Sequence, residues 1–146
     1  MSDKKIIYGD EVNYWKTSTK GAESWLADTK KLIHDIGGKV HTEMVASVDG
    51  KTAVMIGFAI EGDNYKVIYP ALATRKEADR PAALRQAATA MYYEVKALVV
   101  SAKFRGIRGA FHSYLVLPDG RTAGDLTAPQ IADAIPTAFL LPASNR

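Results

Sequence analysis

Cysteine is absent from all 146 residues. Disulfides, thiolate nucleophiles and cysteine-ligated zinc or iron–sulfur centres are therefore excluded, and a reducing, cytoplasmic setting is expected. No run approaches the ~20 apolar residues that cross a bilayer, so no membrane association is expected. Only Ile6 and Ile7 follow the polar Met1-Ser2-Asp3-Lys4-Lys5 start. That run is too short for a signal sequence, and secretion is not expected. The phosphate-binding patterns Gly-x-x-x-x-Gly-Lys and Gly-x-Gly-x-x-Gly are missing, as is the nucleophile pattern Gly-x-Ser-x-Gly. The three histidines, His34, His41 and His112, lie far apart and lack the i, i+4 spacing of a zinc site. No cofactor or metal is expected, the sequence identifies no small-molecule ligand, and the chain reads more as a non-enzyme than as an enzyme.

The hydrophobic fraction of 47% and charged fraction of 24% are those of a folded globular chain. A single domain over residues 1–146 is expected, with an N-terminal arm at 1–20 and an apolar tail at 127–146. Residues 4–8 suit a short leading strand. Trp25, Leu26, Leu32, Ile33 and Ile36 recur at helical spacing, and Gly37-Gly38 supplies a stop, which predicts a helix over residues 22–36. Lys39–Val48 alternates, placing Val40, Thr42, Met44, Ala46 and Val48 on one face. Asp49-Gly50 is a strong hairpin signal. Lys51–Ile60 is nearly continuous in apolar residues, as in a central strand. Glu61-Gly62-Asp63-Asn64 reads as a turn and Tyr65–Leu72 as a third strand, whose Pro70 requires an edge. A long helix is predicted from Pro81 to Phe104 or Arg105, with Leu84, Ala88, Met91, Val95, Leu98 and Ala102 on one stripe. Ala110–Leu117 reads as a fourth strand. Pro129–Ile135 is helix-like, and Phe139-Leu140-Leu141 closes the tail. The fold class is thus α+β in the order α-β-β-β-α-β, an antiparallel meander packed against two helices.

Charge is concentrated on the long helix. Six basic residues and one acid, Glu94, lie between Arg80 and Arg108, in a chain of net charge +3. Arg85, Tyr92, Lys96 and Lys103 fall within one stripe at ~100° per residue, and Arg105 and Arg108 extend it. Cations spaced around an aromatic suit a phosphate backbone with a stacked base. The same residues would serve a merely solvated helix face, with Tyr92 covering the edge of the core. Trp15, beside Lys16, is a second stacking candidate, or else a pin holding the arm to the domain.

The element order resembles the core of the restriction-endonuclease-like nucleases, which place carboxylates on the second and third strands. Here Asp49 and Glu61-x-Asp63 only flank the second strand, and Tyr65–Pro70 carries no carboxylate. Residues 22–108 are also similar in layout to the single-strand annealing recombinases, a resemblance that implies ring assembly and DNA laid along a basic groove. The leading expectation is a non-catalytic nucleic-acid-binding protein, homo-oligomeric, using Arg85, Lys96, Lys103, Arg105 and Arg108 for phosphates and Tyr92 or Trp15 for a base. The alternatives are a structural or protein-interaction module, such as an assembly subunit, and a divergent metal-dependent nuclease.

Overall fold

A computed structural model of the protein describes residues 5–48 and 50–126. Helix α1 spans Ala22–Asp35, and Trp25, Leu26, Thr29 and Ile33 form its buried face. Its end is closed by two bonds: the Gly37 N–H donates to His34 O at 3.0 Å and the Gly38 N–H to Ile33 O at 2.9 Å. Such crossed bonds satisfy carbonyls that a helix end leaves unpaired.

Three antiparallel strands follow in the sheet order β1-β2-β3: β1 at Lys39–Val48, β2 at Lys51–Ile60 and β3 at Asp63–Pro70. Asp49 lies outside the described residues. Between β2 and β3 the turn is Glu61-Gly62, with φ of 53° and 86°. Two successive positive φ values make a two-residue hairpin that matches strand twist. This tightness draws Asp63 and Asn64 into β3, and the strand ends at Pro70 rather than Leu72. β3 is an edge strand, where a missing donor does least harm.

The strict alternation expected for β1 is broken by a bulge. The register shifts between Val40 and Thr42, so that Val40 faces Phe58 while Met44 faces Met55 and Ala46 faces Ala53. An extra residue reverses which side chains point to which face. Val40 consequently packs on the helix-side core, and Met44 and Ala46 lie on the opposite face of the sheet.

Helix α2 spans Arg80–Arg105, with proline in its first turn. Ala88, Met91, Val95 and Ala102 are buried, and Leu84 and Leu98 pack against the same core. Across from them stand Val54, Ile56, Phe58 and Ile60 of β2 and Tyr65 and Val67 of β3, with Trp25, Leu26 and Ile33 of α1. One face of the sheet and one face of each helix thus bury each other, an α+β arrangement.

The final β element is much shorter than Ala110–Leu117. After Gly106 the chain forms a short helix α3, Ile107–Phe111, and a 3-10 turn, His112–Tyr114. Only Leu115 bridges β3, antiparallel to Tyr65, and Val116 bridges Thr122. Helical geometry puts residues three apart on one side, and both Phe111 and Tyr114 use it. Phe111 is fully buried, with its ring 5.7 Å from Phe58 and 5.9 Å from Tyr65, edge-on to both. Tyr114 reaches Glu94 of α2. Tertiary packing here outweighs local strand preference. The leading strand is likewise reduced to one parallel bridge, Tyr8 to Ala73. The helix-like piece at Pro129–Ile135 and Phe139-Leu140-Leu141 lie outside the described residues.

Candidate functional site

The face of α2 opposite its apolar stripe is open only over the C-terminal half. Tyr93, Lys96, Ala97, Val100, Lys103 and Phe104 are exposed there. Phe104 is 87% exposed and Val100 53%. By helical geometry Val100 lies between Lys96 and Lys103 on one side and Tyr93 and Phe104 on the other. Arg105 ends the helix, and Gly106, with φ 81° and ψ 163°, turns the chain away in a conformation open essentially to glycine. Neither Lys103 nor Arg105 has an acidic partner among the described residues, and Lys96 lies over the Tyr92 ring at 5.9 Å.

The remaining candidates are placed differently. Tyr92 is half-buried, its ring 5.2 Å from Trp25 and 5.1 Å from Tyr93. Arg85 is half-buried, about 16 Å along the axis from Lys96. It lines a groove of about 400 Å³ with Gly21, Val45 and Leu84. Between Arg85 and Tyr92 the stripe is closed: Thr89 is buried and its hydroxyl donates to Arg85 O at 2.7 Å. Arg108 is bound to Asp63 of β3, with its Nη2 2.8 Å and its Nε 3.1 Å from the two carboxylate oxygens. These bonds hold the Asp63 carboxyl below its usual pKa and raise that of Arg108. A doubly bonded guanidinium has spent its fork geometry on a neighbour.

Trp15 belongs to the arm, which Gln86 of α2 pins down. The Gln86 Nε2 lies within reach of three carbonyls, Gly9 O at 2.9 Å, Val12 O at 3.2 Å and Asn13 O at 2.9 Å. Trp15 is half-buried against Gly9, so closely that a Cβ there would stand 2.7 Å from its ring. Lys16 pairs with Asp79 at 2.8 Å, and Arg75 binds Asp10 at 2.9 Å and stacks over Tyr8 at 4.1 Å. Tyr14 stacks on Tyr93 with centroids 5.4 Å apart. The arm therefore covers the N-terminal half of the α2 face and leaves the C-terminal half open.

No family model, curated protein or solved structure matches the chain.

Two polar clusters complete the picture. Glu94, the acid of the basic helix, accepts hydrogen bonds from the phenols of Tyr69 and Tyr114. Burial first, and then this carboxylate, push both phenol pKa values far up. The cluster ties β3 and the segment after α3 to α2, and both phenols remain neutral donors across the ordinary pH range. No group of three or more His, Asp or Glu side chains that could hold a metal occurs among the described residues. Asp63 is held by Arg108, and His41 lies within hydrogen-bond distance of Thr42 and Asn64. Among the described residues no helix is long and apolar enough to cross a membrane.

Phe104 was not among the stacking candidates, although the sequence carried the signal. It falls roughly 160° around the helix from the Leu84–Ala102 stripe, so a helix that buries the stripe must expose it.

Proposed function

We propose that the protein binds single-stranded nucleic acid, without chemistry of its own, on the open C-terminal half of α2. Lys96, Lys103 and Arg105 contact phosphates, and Phe104 supplies the face on which a base stacks. One observation carries the proposal: these cations have no acidic partner among the described residues and surround a phenyl ring that is 87% exposed. An exposed phenylalanine is costly to hydrate and gains from stacking on any base, and flanking cations supply attraction independent of sequence. Tyr93, stacked on Tyr14 at its other side, extends the same aromatic surface.

Fluorescence anisotropy with labelled single- and double-stranded oligonucleotides tests this at low and at moderate salt. Salt-sensitive binding that favours the single strand is expected. Phe104→Ala should weaken binding by ~1–3 kcal/mol, or about 5- to 150-fold, with no change in salt dependence. Absence of binding even at low salt would remove the proposal.

An assembly role is the alternative, and the apolar residues on the same face favour it. Val100 at 53% and Tyr93 at 42% exposed adjoin Phe104, and such a stripe suits a helix of a second copy. Light scattering over a range of concentrations separates the two: a concentration-dependent mass without oligonucleotide binding would give the face to assembly. The nearly continuous apolar β2 does not compete for that role, since it lies at the centre of the sheet.

A further inference from the structure

The sheet has a second face, and the apolar residues at its centre are buried although α1 and α2 pack on the other side. Ala53 has no exposed surface and Met55 only 5%. Both point away from α1 and α2, in register with Ala46 and Met44 of β1 and with Pro70 and Ile68 of β3. Among the described residues the apolar side chains packed against them are Met44, Ala46 and Ile68, all from the sheet itself. Neighbours of that kind cannot hide Ala53. Its Cβ stands off the sheet, and its cross-strand partners, Ala46 and Pro70, are themselves short and lie beside it rather than above it. Burial of Ala53 therefore requires chain lying over this face.

The described part of the chain reaches the edge of this face before it ends, at the Gly120 turn. Leu115 bridges the free edge of β3, and the Val116 N–H donates to Asn64 O at 2.9 Å. The chain then rounds that edge. Lys66, which lies in the row of Gly57 on the second face, is buried, and its ammonium donates to Gly120 O. Asp125, which receives the Thr122 N–H at 2.8 Å, lies near enough to act on the Lys66 charge. Twenty residues follow Leu126, and Asp133 and Arg146 are the charged ones among them. Phe139, Leu140 and Leu141 stand together in that stretch, thirteen to fifteen residues beyond Leu126. Even with a helical Pro129–Ile135, ~1.5 Å per residue there and ~3.3 Å elsewhere give a reach of about 30 Å. The distance from Gly57 to Ala53 along β2 is only about 14 Å.

We infer that residues 127–146 of this chain dock on the second face of its own sheet, with Phe139-Leu140-Leu141 covering Met44, Ala46, Ala53, Met55 and Ile68. The tail is then the third layer of the fold, and the apolar residues in it are consumed within the monomer rather than offered to another copy.

The cysteine-free chain allows a direct test on the full-length protein. Met44→Cys is combined in turn with Phe139→Cys, Leu140→Cys and Leu141→Cys, and each pair is treated with a short bis-maleimide. Val100→Cys on α2 with the same three tail positions is the control. At least one Met44 pair should give a cross-link of monomer mass whose yield does not depend on protein concentration, because both cysteines share one chain, and roughly tenfold above its Val100 counterpart, because docking holds the tail on the Met44 face. Cross-links mainly of dimer mass would overturn the inference in favour of a second copy on this face. No cross-link at any Met44 pair, or equal yield from Val100, would overturn it outright. Peroxide oxidation followed by mass spectrometry gives an independent readout in the protein without added cysteines. Met55 should oxidise slowly, and markedly faster in Leu140→Asp; equal rates in the two proteins would contradict the inference.

Discussion

Replacing Lys96 and Lys103 together by glutamine removes two of the three cations that the structure leaves open on the C-terminal half of α2, while both helix-forming side chains remain long and polar. Each phosphate contact on a single strand contributes about −0.7 to the slope of log K against log salt. With Lys96, Lys103 and Arg105 engaged, the slope should be about −2.1, so raising salt from 50 to 200 mM should weaken binding roughly 18-fold. In the double variant one contact remains, the slope falls to about −0.7, and the same change in salt costs only about 2.6-fold. Had Arg85 and Arg108 contributed as well, the slope of the unaltered protein would be near −3.5 and the loss about 130-fold. Anisotropy titrations at four or more salt concentrations distinguish these cases. Both lysines are exposed and neither has an acidic partner among the described residues, so the thermal midpoint should stay within a few degrees. An unchanged slope in the double variant would refute the assignment of this face. A slope near −3.5 in the unaltered protein would show that the Asp63–Arg108 pair opens to admit nucleic acid.

Asp63→Asn should release Arg108 and steepen the slope by about 0.7. The Arg108 bonds depress the Asp63 pKa, so their stabilising effect is present above the unfolded value of about 3.9 and is lost as pH falls through the lower folded value. Urea midpoints measured from pH 5 down to pH 2 should therefore fall less steeply in the variant. Gln86→Leu deprives the carbonyls of Gly9, Val12 and Asn13 of their donor and should cost roughly 1–3 kcal/mol. Limited proteolysis should then cut within residues 9–16 before any other site; a protected arm would show that Gln86 is not what holds it. Phe111→Ala empties a fully buried site between Phe58 and Tyr65 and should lower urea stability by about 3–5 kcal/mol. A loss under 1 kcal/mol would mean that α3 does not contribute to the core as described.

Local signals settled much of this protein from the sequence alone. Asp49-Gly50 and the alternation around it set the limits of β1 and β2, because turn chemistry and strand period act within a few residues. Pro81, Gly106 and the stripe from Leu84 to Ala102 likewise set the long helix, since a 3.6-residue period is a property of one segment. Even the exposure of Phe104 followed from its angle to that stripe. What only the tertiary structure decided involves partners remote in sequence. The bulge at His41 sends Val40 to one face of the sheet and Met44 to the other, and alternation cannot register it. Ala110–Leu117 has the composition of a strand, yet Phe111 and Tyr114 find Phe58, Tyr65 and Glu94 on one side, which a helical turn meets and a strand does not. The basic stripe is continuous on a helical wheel but not in space. Asp63 takes Arg108 from 45 residues away, and the arm, pinned by Gln86, covers the end nearest Arg85. Periodicity reports which way a side chain points, whereas its availability to a ligand depends on what the rest of the chain has placed against it.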